Sequence, residues 1–188
     1  MGWMSSRSAR FLPVGFTQDF CRNIATRIGR CYSAPMTISP ALSTSLTAIG
    51  TIMRAAHDPW WIITSAAVAL HGADAGVVSD VDVLLSVSDA ERILPAIGVA
   101  LRHGSAHPAF RSRIFGTWTG APLPVEFMAD FRYRSGTKWL PLHPATRQSV
   151  DVGGVTVFIP EAADLIAMLT AFGRPKDMDR IRSLAALA

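Results

Sequence analysis

Between Ile63 and Ser86 the chain reads ITSAAVALHGADAGVVSDVDVLLS, and this segment constrains the fold more than any other. Its last third sets Asp80 and Asp82 at the head of a Val/Leu run with the composition of a buried strand. Side chains alternate along a strand, so residues two apart share a face with Cα atoms about 6.5–7 Å apart. Charge on a buried element is costly unless something compensates it. Two carboxylates in this spacing can share hard cations, and Mg²⁺ binds through few carboxylates plus substrate phosphates. The same Asp-x-Asp spacing recurs at Asp177–Asp179, but in a helical pattern, where residues two apart do not face each other. That second pair is expected to bind no metal.

The segment before the acids adds a second element. Trp60 to Thr64 is a bulky, β-branched run that reads as a buried strand, followed by an Ala-rich helix that ends at Gly72. Thr64 and Ser65 lie at the junction, where free backbone N–H groups and the positive end of the helix dipole can hold a phosphate. Simple N-capping by Ser65 would look the same in sequence. A third acid, Glu126, is isolated between Val125 and Phe127 in a second apolar run.

The remaining periodicities predict the following elements. A helix over residues 37–56 has Ser39 as its cap and Leu42, Leu46, Ile49 and Met53 on one face. A second helix, capped by Ser88, runs to about Gly104, with Arg102 in its last turn and a kink at Pro95. Residues 112–120 and 123–131 form one hairpin, and residues 149–159 another around Gly153–Gly154. Residues 132–146 read as a loop. Two helices over about 161–187 close the chain, with Gly173 between them and Pro175 in the first turn of the last. The fold class is α/β (α+β): a mixed β-sheet flanked by helices, with C-terminal helices.

Here the residues resemble the nucleotidyltransferase superfamily, the polymerase-beta-like fold. Its pattern is a strand, Gly-Ser or Gly-Gly, a helix, Asp-x-Asp on the next strand and a third acid further on. The chain has Thr64-Ser65, Asp80-Val81-Asp82 and Glu126 at these places. The tail, PEAADLIAMLTAFGRPKDMDRIRSL, is similar to that of small bacterial members, including the abortive-infection AbiEii type and minimal nucleotidyltransferase antitoxins. The resemblance covers roughly residues 58–188. It implies Mg²⁺ or Mn²⁺ at Asp80, Asp82 and Glu126, with an NTP as substrate. It implies phosphate contacts at Thr64 and Ser65. Arg174 and Lys176 flank Pro175 at a helix start, where they either reach a phosphate across the cleft or form a solvated turn. The acceptor could be a small molecule, a protein or an RNA, and a cognate toxin or antitoxin would be the partner. Two departures stand out. Thr64 replaces the first glycine, and Leu169 replaces a lysine expected after Leu165-Ile166. Both predict weak NTP binding and slow transfer, and leave open a catalytically weakened fold that serves as a binding or antitoxin-like partner.

Charge is uneven. The chain has a net charge of +4, yet residues 1–57 carry six arginines against the single acid Asp19. The excess lies in the N-terminal segment, so residues 1–35 are expected to be a flexible basic tail and 36–188 the folded domain. Nucleic-acid binding has no other support in the sequence. The first residues are Arg- and Ser-rich without a long apolar core, which argues against a secretory signal; the same composition describes a transit peptide, or an upstream start with folding from near Met36. Cys21 and Cys31 have no neighbouring ligands that would make a zinc site. No stretch approaches the roughly 18 apolar residues of a membrane helix, and the expectation is a cytoplasmic protein.

Overall fold

The computed structural model describes residues 38–104 and 107–187. The expectations for residues 1–35, including both cysteines, lie outside the described residues. Helix α1 spans Pro40–Ile52; the Ser39 side chain accepts a hydrogen bond from the Leu42 N–H, as a cap should. Strand β1 (Trp61–Ile63) runs directly into helix α2 (Thr64–Leu70). Strand β2 is Val81–Leu85 and helix α3 Val87–Ala96. Short strands β3 (Arg102–His103) and β4 (Phe110–Arg111) precede the hairpin of β5 (Ile114–Trp118) and β6 (Val125–Ala129). A second hairpin follows, β7 (Arg132–Ser135) and β8 (Lys138–Pro141), then a third, β9 (Gln148–Val152) and β10 (Val155–Ile159). Helices α4 (Ala162–Phe172) and α5 (Pro175–Ala185) complete the chain.

The central sheet has five strands in the order β1-β2-β6-β5-β3. The β2–β6 pair is parallel and the others antiparallel, so the sheet is mixed as expected. Period-two alternation gives the sheet two different faces. Val81, Val83 and Leu85 of β2, with Val125, Phe127 and Ala129 of β6, are buried against α1, α2 and α3 in the main core. The opposite face carries Ile63, Leu84 and Met128, which pack with Phe131, Leu142 and Met168 in a smaller cluster. Asp82 and Glu126 lie on this second face. The hairpin β9–β10 packs on α1, and Gly50 permits the approach: a methyl group there would overlap Val155.

Two expectations are corrected. Helix α3 is capped by Ser86, whose hydroxyl accepts from Asp89 N, and not by Ser88. It stops at Ala96, with Gly98 at φ 76°, so Arg102 belongs to a strand and not to a last helical turn. Pro95 lacks a backbone donor and Gly98 reverses the chain, which together end the helix early. Residues 132–146 are not all loop, since β7 and β8 pair with each other and with β4. These strands are largely exposed, so no apolar alternation marks them in sequence.

Candidate active site

Asp82 and Glu126 are direct partners in the parallel register of β2 and β6. Neighbouring strands lie about 4.8 Å apart, so the two carboxylates rise side by side from the same face. Asp80, two residues before Asp82, joins them in lining a cleft of about 870 Å³. Thr64, Ser65, Arg174 and Lys176 line the same cleft, so the structure brings all seven sequence-derived site residues together.

Electrostatics mark the acids as a strained group. The carboxyl of Asp82 is pushed up to about 6, chiefly by desolvation and further by the charges of Asp80 and Glu126. A hydrogen bond from Thr64 and the charge of Arg174 act the other way. Glu126 is also raised, first by burial and then by Asp80, while Arg102 opposes the shift. Among the described residues, no three His, Cys, Asp or Glu side chains are grouped so that they could hold a metal ion as they stand. The chemistry of Asp80, Asp82 and Glu126 nevertheless suits a hard divalent cation: they offer carboxylate oxygens, and their mutual repulsion is what a cation would relieve.

Thr64 has φ 55°, in the left-handed region that glycine occupies without penalty. An L-residue in this conformation costs about 1–2 kcal/mol. The Thr64 hydroxyl donates to the Asp82 carboxylate, a bond that glycine could not make. Ser65 is buried in the first turn of α2.

Across the cleft, Arg174 forms a two-point ion pair with Asp177, at 2.6 and 3.1 Å. Its guanidinium also lies over the rings of Phe110 and Phe172, 5.4 and 5.2 Å from their centres. Asp177 is fully buried and accepts from Arg180 as well, while Arg180 Nε donates to the Ala75 carbonyl at 3.0 Å. This chain of contacts ties the start of α5 to the loop that leads into Asp80. The second Asp-x-Asp pair thus serves arginines, since Asp179 pairs with Arg182. Lys176 is exposed at the rim.

Leu169 does not face the cleft. It is fully buried in the main core, so it is a packing residue and not a missing phosphate contact. His71 also stays out of the cleft lining: its Nε2 donates to the Pro160 carbonyl at 2.9 Å, and burial holds its pKa down. Trp60 packs edge-on against Phe158, and Trp61 donates from Nε1 to the Thr146 carbonyl. The aromatic wall of the cleft comes instead from Phe110, Phe115, Phe131 and Phe172. Sequence reasoning missed it because these rings come from three separate elements (β4, β5 and α4) and the β6–β7 turn, and nothing in their local spacing brings them together.

Comparison with solved structures places the fold. A presumed nucleotidyltransferase from Thermotoga maritima superposes with a TM-score of 0.56 at 22% identity, over 77% of this chain and 92% of the other. The antibiotic-resistance factor ANT(2″)-Ia gives 0.50 at 13% identity, over 77% and 84%. An antigenic nucleotidyltransferase-like protein from Paracoccidioides brasiliensis gives 0.50 at 16%, over 80% and 78%. No protein-family profile and no curated protein sequence matches the chain. The chain has the nucleotidyltransferase fold, with its mixed sheet and C-terminal helices.

Proposed function

We propose that the protein transfers a nucleoside monophosphate from an NTP to a hydroxyl acceptor. The observation that carries this reading is the register pairing of Asp82 with Glu126, beside Asp80, on the floor of a cleft whose opposite wall carries Arg174 and Lys176. Asp80, Asp82 and Glu126 would hold Mg²⁺ or Mn²⁺. When bound, such ions neutralise the phosphates and the charge that develops on the attacking and leaving oxygens.

The chain's own groups have separable tasks. Ser65 and the backbone at Thr64 hold phosphate oxygens, with Arg174 and Lys176 facing them. The acceptor oxygen attacks the α-phosphorus, its new O–P bond replaces the bond to the bridging α–β oxygen, and pyrophosphate leaves. Glu126 takes the acceptor's proton. ATP is the first nucleotide to test. No described helix is long and apolar enough to cross a membrane, and an NTP-dependent reaction fits a cytoplasmic setting.

One observation favours a second reading. The strained Thr64 and its bond to Asp82 suit a catalytically weakened fold that acts as a binding or antitoxin-like partner, and a toxin–antitoxin or phage-defence role would follow from that resemblance. Incubation with α-³²P-labelled NTPs, Mg²⁺ and small-molecule, protein or RNA acceptors separates the two. Label transfer that disappears in Glu126→Gln supports the enzyme. NTP binding without transfer to any acceptor supports the partner protein.

A further inference from the structure

We infer that the acceptor is a small hydroxyl compound with a planar apolar body, uncharged or anionic, bound at the β5–β6 end of the cleft. This rests on the transfer reading above. The strand order fixes two ends. Ser65 and α2 follow β1, on one side of the Asp82–Glu126 pair, so the phosphates belong there. Glu126, the proton acceptor, faces β5 on the other side, where it pairs in register with Thr117. Two positions further along the same face, Phe115 pairs with Met128. Both line the cleft, with Phe110 and Phe131 beyond them. A hydroxyl delivered to Glu126 from this side must rest its remaining atoms on that apolar floor.

Charge narrows the class further. The cations at this end are Arg111, which lines the cleft, Arg174, whose guanidinium lies 5.4 Å over the Phe110 ring, and Arg102, which lies 4.8 Å over the Phe115 ring and donates to Thr117 Oγ1 at 3.0 Å. Among the described residues that line the cleft, the other acids are Asp74 and Asp179, and both belong to the α2–α5 side. Once Asp80, Asp82 and Glu126 hold cations, the β5–β6 end has no carboxylate left to attract a polycation, and the three arginines repel one. The cleft volume is near the top of the roughly 300–1,000 Å³ range of small-molecule sites, which leaves room for an acceptor beside a nucleotide.

The test is isothermal titration of the full chain with three probes: 2-naphthol, 6-hydroxy-2-naphthalenesulfonate and the polycation tobramycin. Each is measured with and without Mg²⁺ and α,β-methylene-ATP. Both naphthols should bind at least tenfold more tightly than tobramycin, and the nucleotide should not displace them. Phe115→Leu keeps the apolar packing and should weaken naphthol binding three- to tenfold without changing nucleotide affinity; Phe115→Ala should weaken it more. Tighter binding of tobramycin overturns the inference. So does displacement of the naphthols by the nucleotide, because the subsite would then hold the base. Nucleotide binding without naphthol binding sinks this inference and spares the transfer reading. Phe115-dependent naphthol binding without any nucleotide binding sinks the transfer reading and leaves an aromatic-binding site.

Discussion

Replacing Asp82 with Asn removes a charge that the fold holds at a cost. Folding raises this carboxyl from an ordinary 3.8 to about 6, so ionisation is harder in the folded chain than in the unfolded one. Below about pH 3.8 both states are protonated and there is no penalty. As pH rises the unfolded chain ionises first, and the penalty grows until it is complete above about pH 6. Roughly two pKa units at 1.36 kcal/mol each give about 3 kcal/mol at full ionisation, and solvent at the cleft mouth reduces this to about 2–3 kcal/mol. An Asn at position 82 can still accept the Thr64 hydroxyl bond, so the substitution isolates the charge. Thermal unfolding of the metal-free full chain should show Asp82→Asn more stable than wild type by about 5–10 °C at pH 7.5, with a gain of only about 1–2 °C at pH 4. An equal gain at both values, or a loss at pH 7.5, would refute the argument that crowded carboxylates strain the site.

Three further outcomes follow from individual contacts. Thr64→Gly relieves the left-handed strain but loses the bond to Asp82 and adds chain entropy on unfolding, so stability should change by less than about 1 kcal/mol. The open backbone should bind Mg-ATP about tenfold more tightly by calorimetry, whereas Thr64→Val should not. Leu169→Lys should lower stability by several kcal/mol in urea unfolding without improving nucleotide binding, because the position is core. Asp177→Ala strands Arg174 and Arg180 and should cost about 3–5 kcal/mol by the same assay, as removal of one partner of a buried pair does.

The β2 strand, the Glu126 strand and the C-terminal helices were legible because each combines an apolar run with a strong terminator. Asp80 and Asp82 stood out as charges on such a run, and Glu126 for the same reason. The Gly-to-Thr departure at position 64 was visible in sequence. That Thr64 would still adopt φ 55° was not, since tertiary contacts such as the Asp82 bond decide it. Leu169 was misread because its one-dimensional place in the tail resembled a lysine position, while the helix turns that residue into the core. The β7–β8 hairpin was missed because exposed strands carry no burial pattern. The aromatic wall depends on residues far apart in sequence, which local periodicity cannot join.

The account stands on Asp80, Asp82 and Glu126 acting together as a cation and nucleotide site. Electron paramagnetic resonance of free Mn²⁺, titrated with the full chain in the presence and absence of ATP, tests this directly. Wild type should withdraw Mn²⁺ from solution and do so more strongly with ATP. The Asp80→Asn/Asp82→Asn variant should lose that binding while it remains folded, and Glu126→Gln should weaken it. Undiminished Mn²⁺ binding by the double Asn variant would place the cation elsewhere and contradict the account.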